Sequence, residues 1–318
     1  MPDKYMSRIS YDGDLTTVLT EITTEFGLGS YRSHELIPIG YEDLNLKVEV
    51  DYGIYLVKIF AQSRTQADIS RYVRIIESVL NAGILHPKMF THGSGRYIYR
   101  PRKTILQLVV MEWLDGSSYW DLGEKPTTQE RSELIASAAK INLLPYKPSF
   151  TYDSWAINNF GNEYRINSQY LSTSNNSAVS SVLGEFEAID HQSLPHCLVH
   201  GDLISTNVIK TSHGLYFIDF SVANYLPRVQ ELAVLLCDLL FDASAITNAV
   251  ALYNEALDEY QKHIKLERIE LDVLPTYIRA AHAMHILPAS KFMAQGEDTY
   301  ENRHWLNLGR AGLHTPIN

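Results

Sequence analysis

The stretch Leu198–Lys210, LVHGDLISTNVIK, carries His200, Asp202 and Asn207 between the apolar pairs Leu198-Val199 and Val208-Ile209. Asp219 follows at the end of LYFID. A carboxylate on a loop held by buried strands can accept a proton from an attacking hydroxyl. An Asn oxygen and a second carboxylate form a hard oxygen pair suited to Mg²⁺, which takes few protein ligands and completes its shell with phosphates and water. Phosphoryl transfer needs such a set: a base for the acceptor alcohol, one or two Mg²⁺ on the phosphates, and a cation on the nucleotide side. Singly, each of these residues also reads as a turn residue capping a strand. Their joint spacing is what points to chemistry.

The cation is expected from the first hundred residues. Lys58 lies in IYLVKIF, with apolar neighbours on both sides. An ammonium within a strand is costly unless it has a partner. Two acids of the following helix could pair with it, Asp68 near the start and Glu77 mid-helix beside the apolar stripe. Glu77 is favoured, because a mid-helix residue is better placed to point back over the sheet.

The elements that must position these groups fall into two sets. HELIPIG reads as a short strand ending in Gly40, and LKVEVDYGIYLVKIF as a hairpin turning at Asp51-Tyr52-Gly53. A helix is predicted over Thr65 to Asn81, with Ile69, Val73, Ile76 and Leu80 on one stripe. Another strand is expected from Ile105 to Met111, ending at the turn Asp115-Gly116. Beyond it the pattern is helical: Gln129 to Leu144, Ser181 to Asp190, Pro227 to Phe241, Ser244 to His263 and Leu271 to Gln295. LSTSNNSAVSS, Leu171 to Ser181, reads as a surface loop. The expectation is an α+β, two-lobed chain. Residues 1–111 form a small strand-rich nucleotide-binding lobe and 112–318 a larger, mainly helical catalytic and acceptor-binding lobe, with a connector at 111–116.

The totals exclude some classes. The 318 residues carry 27 Lys and Arg against 37 Asp and Glu, a formal net charge of −10. That balance disfavours binding to a phosphate backbone, so no nucleic-acid partner is expected. MPDKYMSRISYDGD lacks the apolar core of a signal peptide, and no apolar run is long enough to span a bilayer. A cytoplasmic protein without a membrane partner is expected. The two cysteines, Cys197 and Cys237, lie in apolar surroundings and read as buried thiols.

HGDLISTNV followed by IDF resembles the H-x-D-x-x-x-x-N and D-F pattern of the aminoglycoside phosphotransferase and choline kinase superfamily. That group is built like protein kinases but phosphorylates small-molecule hydroxyls. The resemblance spans roughly Leu36 to Leu308, with the lysine strand, helix acid, connector, catalytic loop and metal aspartate in the same order. It implies Asp202 as catalytic base and Asn207 and Asp219 as metal ligands. It also implies Lys58 on the nucleotide phosphates and His200 as a support of the catalytic loop. Met111-Glu112-Trp113-Leu114 would meet adenine, mainly through backbone groups. ATP and Mg²⁺ are the implied cofactors. GYEDLN, Gly40 to Asn45, stands where a phosphate loop would lie. It is similar to the G-x-E-N-x-N form of bacterial homoserine kinases in that superfamily, with Asp43 in place of Asn. The family's frequent D-L-A appears as Glu231-Leu232-Ala233, whose acid is expected to be structural.

The acceptor is expected to be a small hydroxyl compound. An aminoglycoside-type antibiotic comes first, homoserine next, choline or another amino alcohol third, and a non-catalytic nucleotide-binding pseudokinase is the rival class. No activation-loop segment separates Asp219 from Pro227, which argues against a protein acceptor. His282 and His285 lie three apart on one helical face and read as packed or surface histidines before metal ligands. Glu297, Asp298 and Glu301 read as acids at a helix start before an acceptor pocket.

Overall fold

The computed structural model describes residues 2–37 and 43–315. The chain divides into two compact units. One runs to Leu80 and takes in Leu85–Asp115; the other comprises Asn81–Ile84 and the chain from Gly116 onward.

In the first unit, α1 (Pro2–Ile9) and α2 (Leu15–Glu25) precede β1 (Tyr31–Ile37), β2 (Leu44–Val50) and β3 (Gly53–Ile59). α3 (Gln66–Asn81), β4 (Met89–Phe90) and β5 (Leu108–Glu112) follow. The strands make one antiparallel sheet in the order β1-β2-β3-β5-β4. Val50 pairs with Gly53 across the expected hairpin, where Gly53 takes a φ of 149° that favours glycine. Side-chain alternation gives the sheet two apolar faces. Leu44, Leu46, Val57 and Ile59 pack with Ile9, Val18, Leu19 and Ile22 of α1 and α2. Phe60, Val109 and Met111 pack with Ile69, Tyr72, Val73 and Ile76 of α3.

The sequence reading contains neither α1 nor α2. The second, LTTVLTEITTE, is rich in Thr, which costs at most about 0.7 kcal/mol per residue in a helix. Burial of Val18, Leu19 and Ile22 at about 1.5–3 kcal/mol each outweighs that local preference. The strand expected from Ile105 begins only at Leu108; Ile105 itself is exposed.

The second unit contains, in chain order, β6 (Gly116–Ser118), α4 (Tyr119–Leu122), α5 (Thr128–Asn142), α6 (Phe160–Asn167) and α7 (Thr173–Glu187). Then come β7 (His196–Val199), β8 (Val208–Thr211), β9 (Gly214–Phe217), β10 (Asn224–Pro227), α8 (Val229–Cys237), α9 (Ala249–Gln261), α10 (Arg268–Ala294) and α11 (Tyr300–Leu313). β6-β8-β9 form one small antiparallel sheet and β7-β10 another.

Two expectations are corrected here. The polar patch Leu171 to Ser181 is mostly helix. Ser172 caps α7 through the Asn175 amide, and Val179, Val182, Leu183 and Phe186 bury one stripe that begins inside the patch. The helix expected from Pro227 starts at Val229, because Pro227 is the last residue of β10, opposite His196. That helix ends at Cys237 because Asp238 leaves helical geometry and turns its carboxylate to the Ser205 amide.

α10 is the centre of this unit, buried over Ala280–Ser290. α11 lies close against it: a Cβ on Gly312 would meet the His282 ring at 2.1 Å, and one on Gly309 the His282 carbonyl at 2.5 Å. His282 and His285 are buried, packed on Phe241 and Trp305. Asp298 pairs with Arg303 at the start of α11. Cys197 and Cys237 are buried free thiols. No described helix is long and apolar enough to cross a membrane.

Candidate active site

β7 brings three buried residues, Cys197, Leu198 and Val199, up to the polar loop. α5 and α9 fix its position, since Asn142 donates to the Leu198 carbonyl and accepts from the Tyr260 hydroxyl, all buried. The loop 200–207 then leads into β8, and β9 returns to Ile218 and Asp219.

His200 is fully buried and both ring nitrogens are used. Nε2 donates to the Ile218 carbonyl at 3.0 Å, and Nδ1 accepts from the Asp202 amide at 3.3 Å. Burial holds its pKa down to about 4, so the ring is neutral, ties the loop to the Asp219 turn and has no proton to trade at neutral pH. The Ile218 amide donates to the Asn207 carbonyl, closing the same link from the other side.

Asn207 Nδ2 donates to the Asp202 carbonyl at 2.9 Å and to its Oδ2 at 2.6 Å. With the amide nitrogen committed, Asn207 Oδ1 is the atom left to face a cation. Asp219 has φ 62° and ψ 65°, a left-handed geometry that Asp and Asn tolerate better than other side chains. That turn is held by a bond from the Ser221 amide to Oδ1. Among the described residues no three His, Cys, Asp or Glu gather as a metal cluster. Asn207 Oδ1 and the Asp219 carboxylate are hard oxygen groups of the kind that could hold a Mg²⁺ completed by phosphates and water.

The Asp202 carboxyl is pushed up to about 8. Burial is the largest cause; the charges of Asp153 and then Asp219 add to it, and the Asn207 bond opposes them. Asp153 belongs to a segment held against the Asp219 turn. Thr151 donates to Asn224 Oδ1, and Asn224 Nδ2 returns a bond to the Thr151 carbonyl. Asp153 and Asp238 are not among the residues expected from the sequence. Both reach the loop from over thirty residues away in the chain, and no local pattern marks them.

Glu231 supports the loop from below. It is fully buried and its Oε2 accepts from the Gly201 amide at 3.2 Å. Burial pushes its carboxyl from 4.5 up to about 8, so the native state holds a proton that the unfolded chain releases. The contribution of Glu231 to stability is therefore fullest below pH 4.5 and declines as the pH rises towards about 8. Glu231→Gln, which can still accept from Gly201, removes that dependence. In urea unfolding, the variant should gain on the wild type by on the order of 1 kcal/mol per pH unit across this window. A gap independent of pH would mean that Glu231 is ionised in the native protein.

In the first unit Lys58 is buried on β3, opposite Asn45. Its carboxylate partner is neither Glu77 nor Asp68. Lys58 Nζ lies 3.2 Å from Asp43 Oδ2. Asp68 instead caps α3, accepting from the Thr65 amide and hydroxyl. Among the described residues Glu77 makes no hydrogen bond or ion pair; it is half-buried on α3. The Glu112 carboxylate accepts from the Lys88 amide, and Lys47 lies over the Trp113 ring at 5.3 Å. Leu114 follows β5, half-buried. Gly40 lies outside the described residues.

A strand-rich unit with a buried strand lysine and a mainly helical unit carrying the 200–207 loop match the protein-kinase-like fold expected from the sequence. The chain belongs to the phosphotransferase enzyme family, whose model matches residues 33–266. It is 23% identical over 269 residues to a homoserine kinase of Bartonella tribocorum, covering 83% of this chain and 82% of that one. Its fold is similar to that of an amicoumacin kinase solved with AMP-PNP and Ca²⁺, at a TM-score of 0.69 and 15% identity, over 99% of this chain and 97% of that one. The choline kinase LicA of Streptococcus pneumoniae matches at a TM-score of 0.64 and 14% identity, over 95% and 99% of the two chains.

Proposed function

We propose that the chain is an ATP-dependent, Mg²⁺-requiring cytoplasmic kinase that moves the γ-phosphoryl group to a hydroxyl of a small molecule. The observation that carries this reading is the geometry of the 200–207 loop: Asn207 Nδ2 holds Asp202 by its Oδ2 at 2.6 Å and its carbonyl at 2.9 Å, while His200 accepts from the Asp202 amide and donates to the Ile218 carbonyl. Burial and the charges of Asp153 and Asp219 raise the proton affinity of Asp202, the direction that favours taking an alcohol proton once the carboxyl is ionised. Asp202 takes the acceptor proton as that oxygen bonds to the γ-phosphorus. The bond to the β–γ bridging oxygen breaks, and ADP leaves with its electron pair. Asn207 and His200 hold Asp202 in place during this step. Mg²⁺, when bound through Asn207 Oδ1 and Asp219, supplies charge neutralisation on the phosphoryl oxygens. Lys58 binds the nucleotide phosphates together with Asn45, its partner across the β2–β3 ladder, and Gly40. The backbone of Glu112-Trp113-Leu114 meets adenine.

Homoserine is the acceptor this reading favours over an aminoglycoside-type antibiotic. The homoserine kinase match is one of sequence, along 83% of the chain, whereas the amicoumacin kinase likeness, at 15% identity, is one of fold. A coupled ADP-release assay with Mg²⁺-ATP over homoserine, choline and aminoglycosides tests this. Turnover of homoserine is expected. Turnover of an aminoglycoside alone would replace the acceptor, and ATP binding without turnover of any alcohol would point to a nucleotide-binding module.

A further inference from the structure

We infer that Asp43, at the entry to β2, is the positioning acid for Lys58, the role that kinases of this architecture give to a helix glutamate. The inference rests on the reading of Lys58 as the phosphate-binding cation. Asn45 pairs with Lys58 across the β2–β3 ladder, and Asp43 is two residues before Asn45. Period-two alternation turns Asp43, Asn45 and Lys58 to the same sheet face, with Asp43 diagonal to the lysine. That is the face covered by α3, where the Tyr72 ring lies 5.4 Å from Lys58 Nζ.

The Asp43 carboxylate is 4% exposed and fixed on several sides. Oδ1 accepts from the Ala61 amide at 2.9 Å and from Arg64 Nε at 2.9 Å, while Oδ2 faces Lys58 at 3.2 Å. Two cations and an amide keep it ionised despite burial. Three donors on one buried carboxylate, one of them a backbone amide, fix its orientation. The ammonium position is thereby set by the sheet register. A helix carboxylate would instead tie it to the placement of α3. Glu77, the residue on α3 favoured from its mid-helix position, makes no ion pair among the described residues.

The test measures binding of Mg²⁺-AMP-PNP and of adenosine by calorimetry for wild type, Asp43→Asn, Asp43→Glu, Glu77→Gln and Lys58→Met. Loss of the anchor should weaken AMP-PNP by at least about tenfold in Asp43→Asn, with adenosine affinity held within about twofold. Asp43→Glu should recover part of the loss, and Glu77→Gln should bind AMP-PNP within about twofold of wild type. A role confined to folding would lower both ligands together, so an equal loss of adenosine overturns the inference. A larger loss in Glu77→Gln than in Asp43→Asn overturns it too. If Asp43→Asn does not fold, Asp43→Glu and Glu77→Gln decide by the same comparison. Lys58→Met binding AMP-PNP as tightly as wild type would remove the reading of Lys58 itself, and this inference with it.

Discussion

Asp202→Asn should lower kcat by about 10²–10⁴-fold, the range that a positioned general base contributes. The substitution is close to isosteric and keeps an oxygen that can accept from Asn207 Nδ2. The His200 and Asn207 links run through the backbone of residue 202, so the loop geometry survives. What is lost is the ability to take a proton. The same substitution has a stability signature. The wild-type carboxyl is pushed up by burial, Asp153 and Asp219, so the native state resists its ionisation. Below the unfolded value of 3.8 nothing is lost; as the pH rises towards about 8 the native state is penalised relative to the unfolded chain. Asp202→Asn escapes that penalty. In metal-free buffer at neutral pH the variant should melt at or above the wild-type temperature. Catalytic loss with retained or raised melting temperature marks a residue kept for chemistry at a cost in stability. Near wild-type turnover would remove Asp202 from the mechanism. A lowered melting temperature would mean that the native carboxylate is ionised and stabilising.

Much of this site was legible because its logic is local. The 200–207 loop is bracketed by β7 and β8, and eight residues of sequence display its His, Asp and Asn. The D-F turn is likewise one strand and one step away. What could not be read is whatever arrives through the fold. Asp153 depends on the pairing of Thr151 with Asn224, and Asp238 on where α8 ends. Asp43 is an intermediate case. Counting outward from the hairpin pair Val50–Gly53 reaches Asn45 opposite Lys58, and one further step of alternation reaches Asp43. The signal was present in the register of a hairpin already recognised. A helix acid is the usual partner of such a lysine, and that preference points away from Asp43. The helices divide in the same way. α3 and α5 announce themselves by apolar stripes. The Thr-rich α2 and the Ser- and Asn-rich first half of α7 are held by tertiary burial and a Ser cap that local propensity does not weigh.

Asp219→Asn is the second large effect, and the backbone decides how it must be read. Residue 219 sits at φ 62° and ψ 65°, where a side chain with a Cβ is normally strained by roughly 1–2 kcal/mol. Asn tolerates that region about as well as Asp, and its amide oxygen can still accept from Ser221. Asp219→Asn therefore removes the charge while keeping the turn bond and the conformational tolerance, whereas Asp219→Ala removes all three together. If Asp219 and Asn207 Oδ1 hold Mg²⁺, the Asn variant should need about 10–100-fold more Mg²⁺ for half-maximal rate. At saturating Mg²⁺ it should retain a kcat/KM lowered by about 10²–10³-fold, as expected when one preorganised charge leaves a phosphoryl-transfer site. Its melting temperature should stay close to wild type, and that of the Ala variant should fall. The pairing of the two variants separates metal binding from turn geometry. Equal Mg²⁺ requirement in Asp219→Asn and wild type would leave Asp219 a turn residue. The oxygen pair would then lose the charged member that makes it a cation site.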